Sequence, residues 1–461
     1  MYDVTIIGSG VSGLFFAYSI SSAMPNLKIL MIEKGSTFQE RICPIDAGSI
    51  SLCKNCEICN RLFGFGGLGK SEGKFNYTFD FGGELHQKIG IKEAERAKDT
   101  VDEILCSFGG DQTPIYDTKN ETLASQLPDE KYRLLSAKVR HLGTSLSNQI
   151  MQNFASFLSP RIDLCCNETV TEVNIHDSYF SIQLQDAVIK TKKLVMATGQ
   201  SDKKFLSNIE RWFDISPGET RLDLGIRVEM PNDYFINTLS GSFETKIQYK
   251  HKGLTATTYC MNPRGRVIKK YQQGLAMADG QNYRQSVPTK HLNFAVFVPF
   301  YFSSPNEAWD YAQSVISHIN KDRGRIVCQR YEDFIKKMTT DADACSHNTI
   351  NPTVDCEAGN LWDEVPTPCI DGLLQIIKAL SHIEQFEIPG DALLYGIDAK
   401  FYSPLIPTDA KFQSHIPNLY FIGDCSGITN SLSQAAASGV YLANCVREEW
   451  IKQEKDGLQM R

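Results

Sequence analysis

The sequence predicts an α/β fold, with a Rossmann-like parallel-sheet domain joined to a second, mixed α+β domain. Three observations carry that reading. Residues 2–34, YDVTIIGSGVSGLFFAYSISSAMPNLKILMIEK, run as strand, glycine turn, apolar helix, strand and acid. KKLVMATGQS at 192–201 is an apolar strand that breaks at Ala197-Thr198-Gly199. Near the C-terminus, IPNLYFIGDCSGITNSLSQAAASGVYLANCV gives a strand, then Gly423-Asp424, then a helix rich in small residues. A chain of 461 residues is long enough for roughly two or three domains.

The first segment carries the chemistry of a dinucleotide site. Gly8 permits a tight turn, Gly10 lets the backbone approach a pyrophosphate, and Gly13 lets helix and strand pack closely. Val11 and Ser12 stand in the same turn, at a helix N-terminus that favours anions. Glu33 ends the second strand, where a carboxylate can accept hydrogen bonds from an adenosine ribose, and Lys34 follows it.

Between this unit and residue 83 lies an insert rich in cysteine and glycine. CPIDAGSISLCKNCEIC places Cys43, Cys53, Cys56 and Cys59 close together. Ferredoxin-type sites use the same C-x2-C-x2-C run with a Cys-Pro partner, so Cys43 folding back as the fourth ligand would hold a [4Fe-4S] cluster. Zinc more often takes two separated Cys pairs. Zinc, a flavin-coupled disulfide and inert thiols stay open beside the iron–sulfur reading. GFGGLG at 64–69 fits the GxGxxG expression but lacks a preceding β-branched strand, so it reads as a glycine loop in close backbone approach. Lys70 and Lys74 in that loop are candidates for phosphate or carboxylate, or are solvated lysines.

Further along, KEAERAKDTVDEILCSF and SLSNQIMQNFASFLSP have helical spacing. LCCNETVTEVNIHDSYFSIQL reads as a strand pair with a turn near His176-Asp177. From about 216 the pattern becomes β-rich, with LNFAVFVPFYF a buried strand and EAWDYAQSVISHIN and DGLLQIIKALSHIEQF helices. Arg227, a charge inside GIRVE, faces a pocket as an anion clamp or pairs with Glu229. His141 is a proton donor or a structural histidine. Cys106, Cys165, Cys166, Cys260, Cys328 and Cys445 read as scattered buried thiols.

With these motifs in place, the chain resembles the two-dinucleotide-type flavoproteins. The resemblance implies FAD as cofactor, with Thr198 and Gly199 near the nucleotide and Gly423 and Asp424 at its ribityl chain. It also implies a discontinuous FAD-binding domain, here 1–215 with the insert at 40–83, then 391–461. An inserted substrate domain would span 216–390. RHLGTSL, GIRVEMP, TTYCMNPRGRVI, CP…CxxCxxC and GFGGLGKSEGKF together resemble the FAD-dependent dehydrogenases of unassigned substrate. LGKSEGK stands where that group usually has an Ala-Phe-Ser-Asp-Gly-Lys type run. YGIDAKFYSPLIP replaces a run rich in Glu, Thr, Arg and Ser, so a different substrate is expected.

Composition narrows the classes. A formal net charge of −7 offers no basic field for nucleic acid, and KTKK at 190–193 reads as a solvated strand edge. No apolar run approaches the ~20 residues of a membrane span, and the absence of a signal-peptide pattern leads to the expectation of a cytoplasmic protein. There is no nucleophile elbow or HExxH, and no catalytic residue is assigned. The expected activity is hydride or electron transfer between flavin and a small organic substrate, reducing C=C or C=N or running the reverse. NAD(P)H or a ferredoxin-like protein is the expected donor, feeding through the Cys cluster if it holds iron and sulfur. A flavin monooxygenase and a flavin electron-transfer or interaction subunit are the alternatives.

Overall fold

The computed structural model describes residues 1–44, 47, 49, 56–200, 203–239, 245–272, 274–281, 288–345 and 347–459. It divides into two compact units, 1–117 with 138–219 and 402–461, and 118–137 with 220–401.

The first unit is built on a parallel sheet assembled from distant parts of the chain. Strand β1 (Tyr2–Ile7) pairs in parallel with β2 (Ile29–Ile32) and with the Val188–Met196 strand. The latter also pairs in parallel with Leu419–Phe421, and β2 pairs with Asp163–Cys165. Strands buried on both faces read as continuous apolar runs, and ILMI of β2 is buried throughout. The early half of Val188–Met196 also forms an antiparallel meander with Phe180–Gln183 and Glu172–Ile175, with His176 and Asp177 at the turn between them.

KTKK therefore lies in an interior strand. Lys190 and Lys192 are exposed, but Lys193 is buried and donates to Asn418 Oδ1 at 2.6 Å and to the Tyr420 hydroxyl at 3.2 Å. The solvated-edge expectation holds for alternate residues only, as the two-residue period of a strand requires.

Helix α1 (Val11–Ala23) crosses from β1 to β2 and is buried on nearly every side. It packs against the long C-terminal helix Leu432–Gln459. The small residues there have a physical reason: a methyl on Gly439 would come within 2.9 Å of the Phe16 nitrogen and closer still to the Ser12 carbonyl.

The second unit holds an eight-stranded sheet with Thr220–Pro231 near its centre, antiparallel to His291–Phe302 and to Leu393–Phe401. Leu222, Leu224, Ile226, Val228 and Met230 enter the core with the Thr367–Glu384 helix. The intervening positions include the buried polar residues Asp223, Arg227 and Glu229. Two features differ from the expected boundaries. Tyr132–Leu135 pairs with Lys246–His251 and so draws 118–137 into this unit. Leu393–Phe401 pairs with the central strand and so extends the unit to 401.

Arg227 neither pairs with Glu229 nor reaches for a free anion. Its guanidinium donates to Asp398 at 2.7 Å, Asp279 at 3.2 Å and Asn293 Oδ1 at 3.1 Å. Glu229 accepts instead from Tyr395, Thr353 and His291. Residues two apart on a strand are separated by about 6.6 Å of rise, whereas cross-strand neighbours lie about 5 Å apart, so each charge finds its partners on adjacent segments.

Candidate functional site: the carboxyl edge of the parallel sheet

Three neighbouring parallel strands end together in the first unit, and each releases one of the sequence motifs. Ile7 is in register with Met196, and Met196 with Phe421. Beyond that level the ladder continues for one step, with Ala197 N–H donating to the Ile7 carbonyl and Ile422 N–H to the Met196 carbonyl. Gly8, Thr198-Gly199 and Gly423-Asp424 thus emerge side by side at the carboxyl edge, where open α/β sheets bind ligands.

Each glycine of the turn has a distinct reason. Gly8 has φ +105°, and a methyl there would lie 2.7 Å from the Ala197 carbonyl carbon. Gly13 packs on Ile6 and on the Gly8 carbonyl. Gly10 differs from both: it caps α1 in extended conformation, and a methyl built on it meets nothing within 4 Å. The turn is closed where strand meets helix and open where the first-turn N–H groups of α1 point. Val11 and Ser12 are buried in that turn, and Ser12 lies against Gly423, whose Cβ would come within 2.8 Å of the Ser12 Cβ.

Glu33 is buried, and its carboxylate is fully engaged. One oxygen accepts from Ser9 N–H and Ser9 Oγ, both at 2.9 Å. The other accepts from Gly35 N–H at 2.8 Å and Gly64 N–H at 3.1 Å. A carboxylate has about four lone-pair sites, so a ribose hydroxyl would have to displace one of these donors, and the Ser9 hydroxyl is the one free to rotate. Lys34 lies over the Phe63 ring, 3.7 Å from its centroid.

The 64–69 loop approaches the first glycine turn. Gly66 N–H donates to the Ser9 carbonyl at 2.9 Å, and a methyl on Gly67 would sit 2.9 Å from the Gly10 Cα. Arg41, which the sequence reading passed over, holds this loop in shape. Its guanidinium donates to the carbonyls of Asn60, Arg61, Phe65 and Gly67 at 2.7–3.0 Å. Burial lowers its pKa, against the opposing influence of Glu33 and Cys59. Lys70 donates to the Arg41 carbonyl at 2.6 Å, and Lys74 lies 3.6 Å from Glu72. His141 also faces Glu72, at 3.5 Å.

At the other end of the edge, Thr198 Oγ1 is buried without a hydrogen-bond partner of standard geometry; the Cys425 thiol, a weak donor, is beside it. Asp424 keeps partial solvent access, although protein atoms crowd its carboxyl. Burial pushes its pKa up to about 7, only partly offset by the Thr429 hydroxyl at 2.8 Å. A carboxyl held this way has room to accept further hydrogen bonds, and gains from them.

The cysteine segment is described in part. Cys43 and Cys59 are half-buried and Cys56 is exposed, while Cys53 lies outside the described residues. Among the described residues no group of three or more His, Cys, Asp or Glu side chains could hold a metal ion. No described helix is long and apolar enough to cross a membrane.

No family model matches the chain, and no curated protein matches it. Solved structures similar to it include a Diels-Alderase from pyrroindomycin biosynthesis (13% identity, TM-score 0.34, 95% of this chain and 63% of that one). The p-nitrophenol 4-monooxygenase of Pseudomonas putida DLL-E4 is similar at 10% identity and TM-score 0.37, over 99% of this chain and 81% of that one. The glycine oxidase of Geobacillus kaustophilus is similar at 11% identity and TM-score 0.38, over 97% and 95%. This chain thus spans less than two thirds of the Diels-Alderase's length.

Proposed function

We propose that the carboxyl edge of the first unit binds FAD and that the chain is an FAD-dependent oxidoreductase of dehydrogenase type. The observation that carries this is the meeting of Gly8–Gly13, Thr198-Gly199 and Gly423-Asp424 at the ends of three adjacent parallel strands. A single mononucleotide-binding turn needs only the first of these. The residues fit an extended dinucleotide. On the side of Gly10 where a methyl would meet nothing within 4 Å, a pyrophosphate would approach the first-turn N–H groups of Val11, Ser12 and Gly13. Thr198 Oγ1 offers an unused polar atom, and Asp424 a carboxyl short of donors that ribityl hydroxyls would supply. Glu33 and Lys34 belong to the adenosine end, where the Ser9 hydroxyl gives up its bond to Glu33 in favour of the ribose.

Bound there, FAD supplies hydride or single-electron exchange with a small organic substrate, at a C=C or C=N bond in either direction. The chain's own residues position and shield it: Arg41 fixes the 60–67 loop against the glycine turn, and Asp424 orients through Thr429. The second unit is the proposed substrate domain, and NAD(P)H or a ferredoxin-like protein the proposed donor. No step is routed through Cys43, Cys53, Cys56 and Cys59, because nothing in the geometry of the three described cysteines supports a cluster or a zinc ion.

The test is purification followed by release and mass identification of the bound cofactor, with iron, acid-labile sulfide and zinc measured on the same anaerobic sample. FAD in near-equimolar amount supports the reading; a colourless chain that does not take up added FAD overturns it. Anaerobic reduction by NAD(P)H or reduced ferredoxin, then reoxidation by C=C or C=N compounds, tests the dehydrogenase assignment. Oxygen-dependent hydroxylation would point instead to a monooxygenase. Reduction without turnover, alongside a co-purifying enzyme, would point to an electron-transfer subunit.

A further inference from the structure

Cys328 does not lie among inert neighbours. Three segments of the second unit converge on it through backbone hydrogen bonds. The Val327–Arg330 strand pairs in parallel with Glu357–Ala358, and Gly359 N–H donates to the Cys328 carbonyl at 2.9 Å. Arg330 N–H donates to Thr340 Oγ1 at 2.9 Å, and Thr340 N–H donates to the Gly359 carbonyl at 3.2 Å. The short helix Ala342–Cys345 packs on Glu357–Ala358. This framework brings three thiols into one neighbourhood: Cys356 packs against the buried cluster that holds Cys328, and the Cys345 and Cys356 thiols both lie close enough to Cys328 to perturb its ionisation. Cys328 is 1% exposed, whereas Cys345 and Cys356 are half-buried and reachable from solvent. All three are free thiols.

We propose that Cys345, Cys328 and Cys356 form a thiol–disulfide exchange site that takes a low-molecular-weight disulfide as its oxidant. The Cys345 thiolate attacks one sulfur of the small disulfide, breaking its S–S bond and releasing one thiolate, which takes a proton from water. Cys328 then attacks the Cys345 sulfur of the mixed disulfide and expels the second small thiol, which carries away the Cys328 proton. Two protein thiols become one disulfide, and one small disulfide becomes two thiols. Cys356, the other neighbour of Cys328, is the alternative partner through which the bond can be passed on.

The environment assigns the roles. The Cys328 thiol and the Arg330 charge hold Cys345 down to about 7, against the opposing effects of burial, Asp333 and Asp341. Cys328 goes the other way, pushed well up by its thiol neighbours and by burial. The accessible sulfur is thus the thiolate and the buried one the resolving thiol, the order an exchange site requires. A metal cage is the competing use of three cysteines, but Cys345 and Cys356 meet at Cys328 without closing a set of three metal ligands among the described residues.

The experiment uses the full chain, incubated with oxidised glutathione, alkylated, and digested with trypsin and an Asp-specific protease without reduction. These enzymes separate Cys328 (326–330), Cys345 (343–354) and Cys356 (355–362) into different peptides. The expected result is a 326–330 peptide cross-linked to 343–354, lost on treatment with dithiothreitol. At pH 7, alkylation of Cys345 should run roughly tenfold faster than that of Cys106, following its larger thiolate fraction. Cys345→Ala changes a half-buried position and should abolish that cross-link, while Cys328→Ser should leave glutathione on Cys345. Glutathione retained on wild-type Cys345 without a cross-link, no reaction at Cys345, or stoichiometric zinc shielding all three thiols would each overturn the proposal.

Discussion

Gly10→Ala separates the fold from the proposed cofactor site. Gly10 has φ −70° and ψ 180°, a conformation open to alanine, and the added methyl meets no atom within 4 Å. Alanine is a poorer helix N-cap than glycine by up to about 1 kcal/mol, and the loss of unfolded-state freedom offsets about 0.4–1 kcal/mol. Folding stability should therefore change by less than about 1 kcal/mol. Binding is another matter, because the methyl occupies the space through which a pyrophosphate reaches the α1 N–H groups. Losing two charge-assisted hydrogen bonds costs roughly 3–6 kcal/mol, which is on the order of a hundredfold to ten-thousandfold in the FAD Kd. Gly8→Ala gives the opposite result. Its φ of +105° and the Ala197 carbonyl behind it put strain and overpacking of about 2–5 kcal/mol into folding itself. Urea unfolding of both apo variants, together with flavin titration followed by fluorescence, measures the two effects separately. FAD binding within threefold of wild type by a folded Gly10→Ala chain would refute the assignment of this turn to the pyrophosphate.

The remaining expectations concern single side chains. The Asp424 carboxyl is raised in the folded state to about 7 from an ordinary value of 3.8, so the folded apo chain holds a proton that the unfolded chain has lost. Apo stability should fall as pH rises from about 4 to about 7 and level off above that. Denaturation midpoints across that range should show the slope, Asp424→Asn should flatten it, and bound FAD should reduce it. Arg41→Met leaves the carbonyls of Asn60, Arg61, Phe65 and Gly67 without their donor. It should cost roughly 2–4 kcal/mol and expose the loop to limited proteolysis ahead of the rest of the unit. Arg227→Met takes from Asp398, which is 1% exposed, the nearer of its two cations and leaves it only Lys270 at 3.5 Å. Breaking one side of a buried pair costs about 3–5 kcal/mol, read as a drop in Tm of roughly 10 °C for a unit of this size.

What could be read from the sequence and what could not divide by the range of the interaction involved. The glycine turn, the apolar strands and the small-residue helix are local codes: each residue meets its requirement within a turn or a strand period. Their convergence at one edge followed because parallel strands leave few ways to arrange three such ends. Arg41 was invisible for the opposite reason. Its four acceptors are main-chain carbonyls with no side-chain signature, and only the folded loop aims them at one point. Cys328 read as an isolated thiol, and Cys345 and Cys356 were passed over, because no motif spacing joins the three; strand pairing and the Thr340 bonds bring their segments together. The segment 118–137 was assigned by chain order to the first domain, yet a four-residue edge strand ties it to the second unit.

Glu33 combines both kinds of information. Its spacing from the glycine turn is what proposes it as the acid of a dinucleotide site. Its bonds to Ser9, Gly35 and Gly64 make the same carboxylate the joint between the glycine turn and the 64–69 loop. In the proposed FAD site, ribose recognition and loop attachment would draw on one set of lone pairs. The Ser9 hydroxyl is the donor that can turn away while the three backbone donors stay, so a ribose bound at the proposed site would leave the loop attached through Gly64 N–H.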